Sequence, residues 1–189
     1  MKRSLLKMSK SKFISIITPF YNEEKELGSL LNDILKFEKK NNLVKEYILI
    51  DDASTDKSIK IVRNFYKISN LKLKNKITII RNKSNLGWAK SVKKGYTISK
   101  GDYLMFLPGD GEIRLTNFLG KINFLKEVIV VQRGEMPGRP FVRILISYLF
   151  RRLVSIIFSI KYFDYNTIII LKKNVLKKLK IKSNSYFIS

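Results

Sequence analysis

The chain has 189 residues, 45% of them hydrophobic, which suits one ordinary domain with a real core and excludes wholesale disorder. It has no Cys and no His, so disulfide frameworks, Cys/His zinc sites, cysteine nucleophiles and Ser-His-Asp arrangements are excluded, and any metal must be held by oxygen ligands. The net charge of +23 predicts an acidic partner: nucleic acid, an anionic bilayer or a phosphorylated substrate.

The charge is uneven. Met1 to Glu112 carry 23 basic and 12 acidic residues, whereas Ile113 to Ser189 carry 15 and 3. The last part is basic and apolar together. No targeting signal is expected, because the apolar run Phe13–Phe20 leads into Tyr21-Asn-Glu-Glu-Lys-Glu rather than a cleavage site. Phe141–Ile160 comes nearest to a membrane span but is broken by Arg143, Arg151 and Arg152.

Short β-rich runs alternate with helical patterns. Phe13–Thr18 reads as a buried strand. In Glu23–Lys40, Leu27, Leu30, Leu31, Ile34 and Leu35 recur at helical spacing. Tyr47–Ile50 is the second strand, and Asp56–Ser69 a helix with Ile59, Val62 and Phe65 on one face. Ile77–Ile80 is the third strand and Gly87–Ser99 the third helix. Tyr103–Leu107 is the fourth strand, a helix is expected near Leu115–Leu125, and Val128–Val131 is the fifth strand. Such alternation predicts an α/β fold with a mostly parallel sheet.

The most distinctive polar segments all follow strands: Pro19-Phe-Tyr-Asn-Glu-Glu, Asp51-Asp-Ala-Ser-Thr-Asp, Arg81-Asn-Lys-Ser-Asn-Leu-Gly and Pro108-Gly-Asp-Gly-Glu. In a parallel sheet they emerge at one edge, and ligands of open α/β sheets bind at the carboxyl ends of strands.

Asp51 and Asp52 are two acids directly after a strand. A turn and helix cap explain Ser54 to Asp56 but do not need both acids, so at least one is read as a ligand for a base N–H or a ribose hydroxyl. Pro108-Gly-Asp-Gly-Glu is either a plain turn or a loop whose glycines, Gly109 among them, bring backbone to a phosphate. In the second case Asp110 binds Mg²⁺ or Mn²⁺. Tyr21 is either core edge or a base-stacking ring. Glu23 and Glu24 suit a helix N-terminus without any function. Lys90 faces either diphosphate or solvent. Arg133, just after the fifth strand, is a candidate for binding diphosphate or an anionic acceptor.

Arg139–Ile160 is amphipathic in an unusual way. Arg143, Ser147, Arg151 and Ser155 recur every four residues, drifting only about 120° around a helix. Nearly everything else is apolar. Together with Lys172-Lys173 and Lys177-Lys178, this favours a helix lying on an anionic membrane surface over a buried dimer helix.

These motifs together resemble family 2 glycosyltransferases of GT-A fold, in particular the dolichol-phosphate mannose synthase-like (polyprenyl-phosphate sugar synthase) branch. The likeness rests on Ser15-Ile-Ile-Thr-Pro-Phe-Tyr-Asn-Glu-Glu, Ile50-Asp-Asp-Ala-Ser-Thr-Asp, Asn85-Leu-Gly-Trp-Ala-Lys-Ser-Val-Lys-Lys-Gly and Gly101-Asp-Tyr-Leu-Met-Phe-Leu, in order. It implies a Rossmann-like, mostly parallel sheet with helices on both faces, followed by the amphipathic segment. It implies a nucleotide-sugar core at 11–135 and an acceptor-side, membrane-interfacial segment at 136–189 that is short for the family. It also implies nucleotide contacts from Pro19, Tyr21, Glu23 and Asp52, and a metal and diphosphate at Asp110 with Glu112 beside it. Arg133 falls where that branch has an arginine for phosphate, and Arg143 where a basic residue serves the acceptor phosphate. The sequence departs from the family's usual pair of aspartates at the metal motif, since the first position is Pro108.

The expected function is transfer of a sugar from a UDP- or GDP-linked donor to a lipid-linked polyprenyl phosphate, with inversion, by a protein attached peripherally to the cytoplasmic face of the membrane. A second protein completing the site is an open expectation. Two rivals stand beside this one. The first is a non-catalytic transferase domain serving as a membrane or partner scaffold, which Pro108 favours. The second is a nucleic-acid binder, suggested by charge alone; it lacks an aromatic RNA-binding strand motif or a basic recognition helix, so no nucleic-acid partner is expected.

Overall fold

The computed structural model describes residues 13–111, 113–122, 124, 126–131, 141–158 and 168–178. Six strands form one sheet: β1 (Ile14–Phe20), β2 (Val44–Asp51), β3 (Ile77–Arg81), β4 (Tyr103–Phe106), β5 (Val128–Val131) and β6 (Ile168–Lys172), in the order β3-β2-β1-β4-β6-β5. The pairs β1–β2, β2–β3 and β1–β4 are parallel, while β6 runs antiparallel between β4 and β5. The sheet therefore takes a strand from beyond residue 135 and inserts it inside the 11–135 core.

Period-two alternation decides which side chains face which layer. Ile14, Ile16 and Phe20 of β1, with Val44, Tyr47 and Leu49 of β2, join the larger core. Ile17, Ile48 and Ile50 face the other way and form a smaller one with Ile80 and Tyr96. Because both faces of the central strands are apolar, both must be covered by helices.

Helix α1 (Leu27–Lys40) covers the larger core with Leu27, Leu30, Leu31, Ile34 and Phe37, the spacing of one helical face. Lys39 and Lys40 fall in its last turn, where the helix dipole favours cations. Helix α2 (Ser58–Ile68) buries Ile59, Val62 and Phe65 on the same side. A short helix, α3 (Leu71–Lys74), follows, its start capped by the Asn70 side chain accepting from Leu73 N at 2.9 Å. On the opposite face lies α4 (Trp88–Ile98), with Ser91, Val92 and Gly95 buried. A Cβ on Gly95 would stand 2.4 Å from Ile17 Cγ2, so this glycine lets α4 approach β1 closely.

The helix expected near Leu115–Leu125 is shorter than its pattern suggests: α5 (Leu115–Phe118) gives way to a 3₁₀ turn at Leu119–Lys121. Leu115 and Leu119 reach the core, and the backbone turns extended at Ile122, so the helical run ends there although Ile122 continues the apolar spacing. Helix α6 (Phe141–Phe158) is 18 residues long, and a short α7 (Lys173–Lys178) follows β6.

Candidate active site

With β1 to β4 parallel, the segments that follow them open at one edge of the sheet. The chain leaves β1 for β2 on one side and returns as β4 on the other. The carboxyl ends of β1 and β4 thus flank the topological switch point, where open α/β sheets place their crevice.

The loop after β4 is pressed against the end of β1. A Cβ on Gly109 would stand 2.7 Å from Phe20 Cβ and 3.2 Å from the Pro19 carbonyl oxygen, so a side chain here displaces the strand end. Gly111 has φ of 67°, and a Cβ there would lie 3.2 Å from the Glu26 carbonyl. Both glycines are needed for the loop to lie where it does. Asp110 sits between them, half-buried. Trp88, at the start of α4, packs edge-on against Phe106, the last residue of β4, with ring centroids 4.6 Å apart.

The loops after β1 and β2 are bonded to each other. Asn22, at φ 55°, accepts through Oδ1 from Thr55 N at 2.9 Å. Ser54 Oγ accepts from Asn22 N at 3.1 Å, and Ser58 Oγ from Glu23 N at 2.8 Å. Asp56 Oδ2 accepts from Glu24 N at 3.1 Å, while Glu24 Oε2 accepts from Lys57 N at 3.0 Å. Asp56 Oδ1 also accepts from Ser58 N at the start of α2. Asp56 thus serves the start of α2, whereas the Ser54 and Thr55 hydroxyls bond Asn22 across the two loops rather than capping the helix.

The two adjacent aspartates have different surroundings. Asp51 is fully buried; its Oδ1 accepts from Ser54 N at 2.9 Å, and its Oδ2 lies 3.1 Å from Arg81 Nε. That second contact is an ion pair without hydrogen-bond alignment. Asp52 is 3% exposed and is held by the loop after β3. Its Oδ1 accepts from Asn82 Nδ2 at 2.7 Å and Leu86 N at 2.9 Å, and its Oδ2 from Gly87 N at 2.8 Å. A carboxylate offers about four acceptor positions, so three are filled by protein. Asn82 is itself braced, sharing Nδ2 with Ser91 Oγ at 2.9 Å and accepting from Lys94 Nζ at 2.8 Å. Sequence reading passed over Asn82. A polar residue directly after a strand, in a segment already set apart by its composition, was the available signal.

Pro19 lies inside β1 and is buried, and Tyr21 just beyond it is 43% exposed at the crevice edge. Lys90 is exposed on the first turn of α4. Glu112 and Arg133 lie outside the described residues, although β5 does deliver the chain to the same edge, since Val131 pairs with Ile168 at the start of the antiparallel β6. Arg143 falls in the first turn of α6.

Glu23 shows what the crevice asks for. Its burial, then the charges of Asp110, Glu26 and Asp56, push its carboxyl above the ordinary value. The β1 and β4 loops thus bring like charges together at an edge whose donors are oxygen only. Carboxylate oxygens such as those of Glu23 and Asp110 are the donor type that Mg²⁺ and Mn²⁺ take, with phosphate and water completing the shell. No cluster of three acidic residues able to hold a metal occurs among the described residues, so such an ion would depend on its ligand's oxygens.

Helix α6 presents a different surface. Ile146, Leu149 and Ile156 are 61%, 56% and 74% exposed, and Phe141, Val142, Tyr148, Phe150 and Leu153 are exposed as well. Arg152 Nε donates to Tyr148 Oη at 3.3 Å, its guanidinium over the Tyr148 ring. Among the described residues no helix is long and apolar enough to cross a membrane.

The dolichyl-phosphate beta-glucosyltransferase of Dictyostelium discoideum is 33% identical over 111 residues, covering 56% of this chain and 33% of that protein. The undecaprenyl-phosphate 4-deoxy-4-formamido-L-arabinose transferase of Proteus mirabilis is 33% identical over 97 residues, 51% of this chain and 28% of that one. This chain spans about a third of the length of such relatives. In fold it resembles the mannosyltransferase PcManGT of Pyrobaculum calidifontis, solved with GDP-Man and Mn²⁺, at a TM-score of 0.62 and 20% identity over 91% of this chain and 48% of that chain. The glucosyl-3-phosphoglycerate synthase of Mycobacterium tuberculosis, solved with Mn²⁺, UDP-Glc and phosphoglyceric acid, gives 0.63 and 16% over 89% and 59%. These two likenesses carry the fold alone, the GT-A arrangement expected from the motifs. The model of the family described as "Glycosyl transferase family 2" matches residues 15–179, from β1 to the end of α7, and the chain belongs to that family.

Proposed function

We propose that the chain transfers a sugar from a nucleoside-diphospho sugar, UDP- or GDP-linked, to a polyprenyl phosphate at the cytoplasmic surface of a membrane. The observation that carries this reading is the convergence of Tyr21, Glu23, Asp52 and Asp110 on the switch point between β1 and β4. Relatives named for dolichyl-phosphate and undecaprenyl-phosphate transfer support the acceptor class.

In this reading Asp52 accepts from the base or ribose through its remaining lone pair, and Tyr21 flanks the base. Asp110 and Glu112 would hold Mg²⁺ or Mn²⁺, and the ion would offset charge on the leaving diphosphate. Gly109 brings backbone close to that diphosphate. Lys90 and Arg133 are assigned to its oxygens, and Arg143 to the acceptor phosphate. An acceptor phosphate oxygen attacks the anomeric carbon in line, its C–O bond to the donor phosphate breaks, and the nucleoside diphosphate leaves, inverting the centre. The acceptor phosphate is already ionised, so no general base is required, which accords with a chain lacking His. The exposed apolar side chains of α6 lie in the bilayer surface and present the site to the lipid phosphate.

The test is a panel of UDP- and GDP-sugars with radiolabel transfer into extracted membrane lipid. Label in the lipid fraction, dependent on divalent cation, is the expected result. Nucleotide binding with no transfer to any lipid would instead support the scaffold reading.

A further inference from the structure

One buried acid has no part in the mechanism above. Asp33 lies on the apolar face of α1, among Leu30, Leu31, Ile34 and Phe37, and is 4% exposed. An ionised carboxylate in such surroundings is costly unless its oxygens are bonded. Both are, and to one place: Oδ2 accepts from Leu115 N at 2.5 Å and Oδ1 from Thr116 Oγ1 at 2.6 Å. Asp33 therefore caps α5 from a different helix, 82 residues away in sequence. Arg114, which precedes α5, makes no cap of its own by side chain.

The consequence falls on the loop between β4 and α5. Its start is set by Gly109 against Phe20, its middle by Gly111 against the Glu26 carbonyl, and its end by Asp33 on Leu115 and Thr116. Asp110 stands inside these three anchors. The first two are close steric approaches, and the Asp33 anchor consists of two hydrogen bonds.

We propose that Asp33 is a positioning residue: by capping α5 it holds the far end of the loop that carries Asp110, so that Asp110 meets the metal-bound diphosphate. This rests on the role proposed for Asp110 above. Partners behind a metal ligand typically change metal affinity 10–100-fold when removed.

The test measures Mn²⁺ directly, by the electron paramagnetic resonance signal of the free ion, in titrations with UDP and GDP. Uridine and guanosine, which lack phosphate, serve as controls. Asp33→Ala is expected to weaken Mn²⁺-dependent nucleotide binding about 10-fold or more, with nucleoside binding unchanged. Thr116→Val, at an exposed position, should weaken it by less, and Thr116→Ser should restore it. If Asp33→Ala fails to fold, the two Thr116 variants decide. Unchanged Mn²⁺ binding in folded Asp33→Ala, or an equal loss for nucleoside and nucleotide, would overturn the proposal and leave Asp33 a purely structural cap. Asp110→Asn separates the two levels. Loss of Mn²⁺ binding there without loss in the Asp33 and Thr116 variants rejects only the positioning role, whereas no loss in Asp110→Asn rejects the metal role of Asp110 itself.

Discussion

The carboxyl edge of the sheet and helix α6 treat water in opposite ways. At the edge, polar groups are buried and bonded to one another: Asp52 is 3% exposed and has three protein donors. Along α6, the apolar side chains of Phe141, Leu145, Ile146, Leu149, Phe150, Leu153 and Ile156 are exposed. Burying a carboxylate requires partners placed within a few tenths of an ångström, so the edge is rigid before any ligand arrives. Exposing Leu and Ile in a row calls for a partner that is not water. The contrast separates a preformed polar crevice from an exposed apolar surface.

The contrast breaks most sharply at Asp110. Asp110→Ala is expected to cut sugar transfer by about 10²–10³-fold, the usual loss for one transition-state electrostatic contact. Its turn lies outside the apolar core, so circular dichroism should be unchanged. Retained activity would reduce Asp110 to a turn residue.

Asp52→Ala tests the rigid edge. It removes the acceptor of Leu86 N and leaves Gly87 N with its bond to Asn85 Oδ1 and Asn82 Nδ2 with its bond to Ser91 Oγ, at a cost of about 3 kcal/mol for lost bonds to a buried charge. Urea unfolding should show the loss, and nucleotide binding should weaken with it. A stability change below about 1 kcal/mol would mean that the Asn82–Gly87 loop does not depend on this carboxylate.

Leu149→Glu tests the other region. Burial of a Leu side chain contributes about 1.5–3 kcal/mol, so co-sedimentation with anionic vesicles should fall about 10-fold while urea unfolding is unaffected. Raising salt should weaken the unsubstituted protein only partly, because screening acts on the basic residues and not on inserted side chains. Loss of a dimer instead of loss of vesicle binding would assign α6 to a protein interface.

The smallest effect belongs to Glu23. Its carboxyl is raised by burial and by Asp110, Glu26 and Asp56, so the ionised form is disfavoured in the fold. A raised carboxyl contributes stability that is complete below its ordinary value of 4.5 and is lost as pH rises through the folded value. Glu23→Gln should therefore melt slightly higher than the unsubstituted protein above about pH 5, with the gap closing in more acid solution. Adding Mn²⁺ with UDP should shrink the gap at neutral pH, since a cation relieves the same repulsion. An identical melting profile for the two proteins at every pH would show that the like charges are too far apart to matter.

Much of the fold was legible in the sequence. The leucine stripe of α1 and the apolar runs of β1 to β5 are local patterns, and each stands where its pattern places it. Boundaries moved by a few residues, as with β2 beginning at Val44 rather than Tyr47. The strand β6 was not foreseen although Ile168-Ile-Ile-Leu is itself an apolar β-rich run; its antiparallel place between β4 and β5 is decided by pairing with distant strands. At the site, the convergence of four segments could be read from strand order, but the difference between Asp51 and Asp52 could not. Adjacent residues in a strand point to opposite faces, and each found its own partners: Ser54 and Arg81 for one, the Asn82–Gly87 loop for the other. Asp33 carried a signal that went unused, an acid inside an apolar helical stripe.

By itself, then, the sequence determined the class of fold, the family motifs and the edge at which they meet. Those follow from periodicity and from what ends a strand, which are properties of short stretches. Only the tertiary structure decided that β6 joins the core sheet, that Asp52 is enclosed by the loop after β3, and that Asp33 anchors the loop bearing Asp110. Such bonds join groups 34 and 82 residues apart, and which buried donor meets which acceptor is settled when the helices and strands pack.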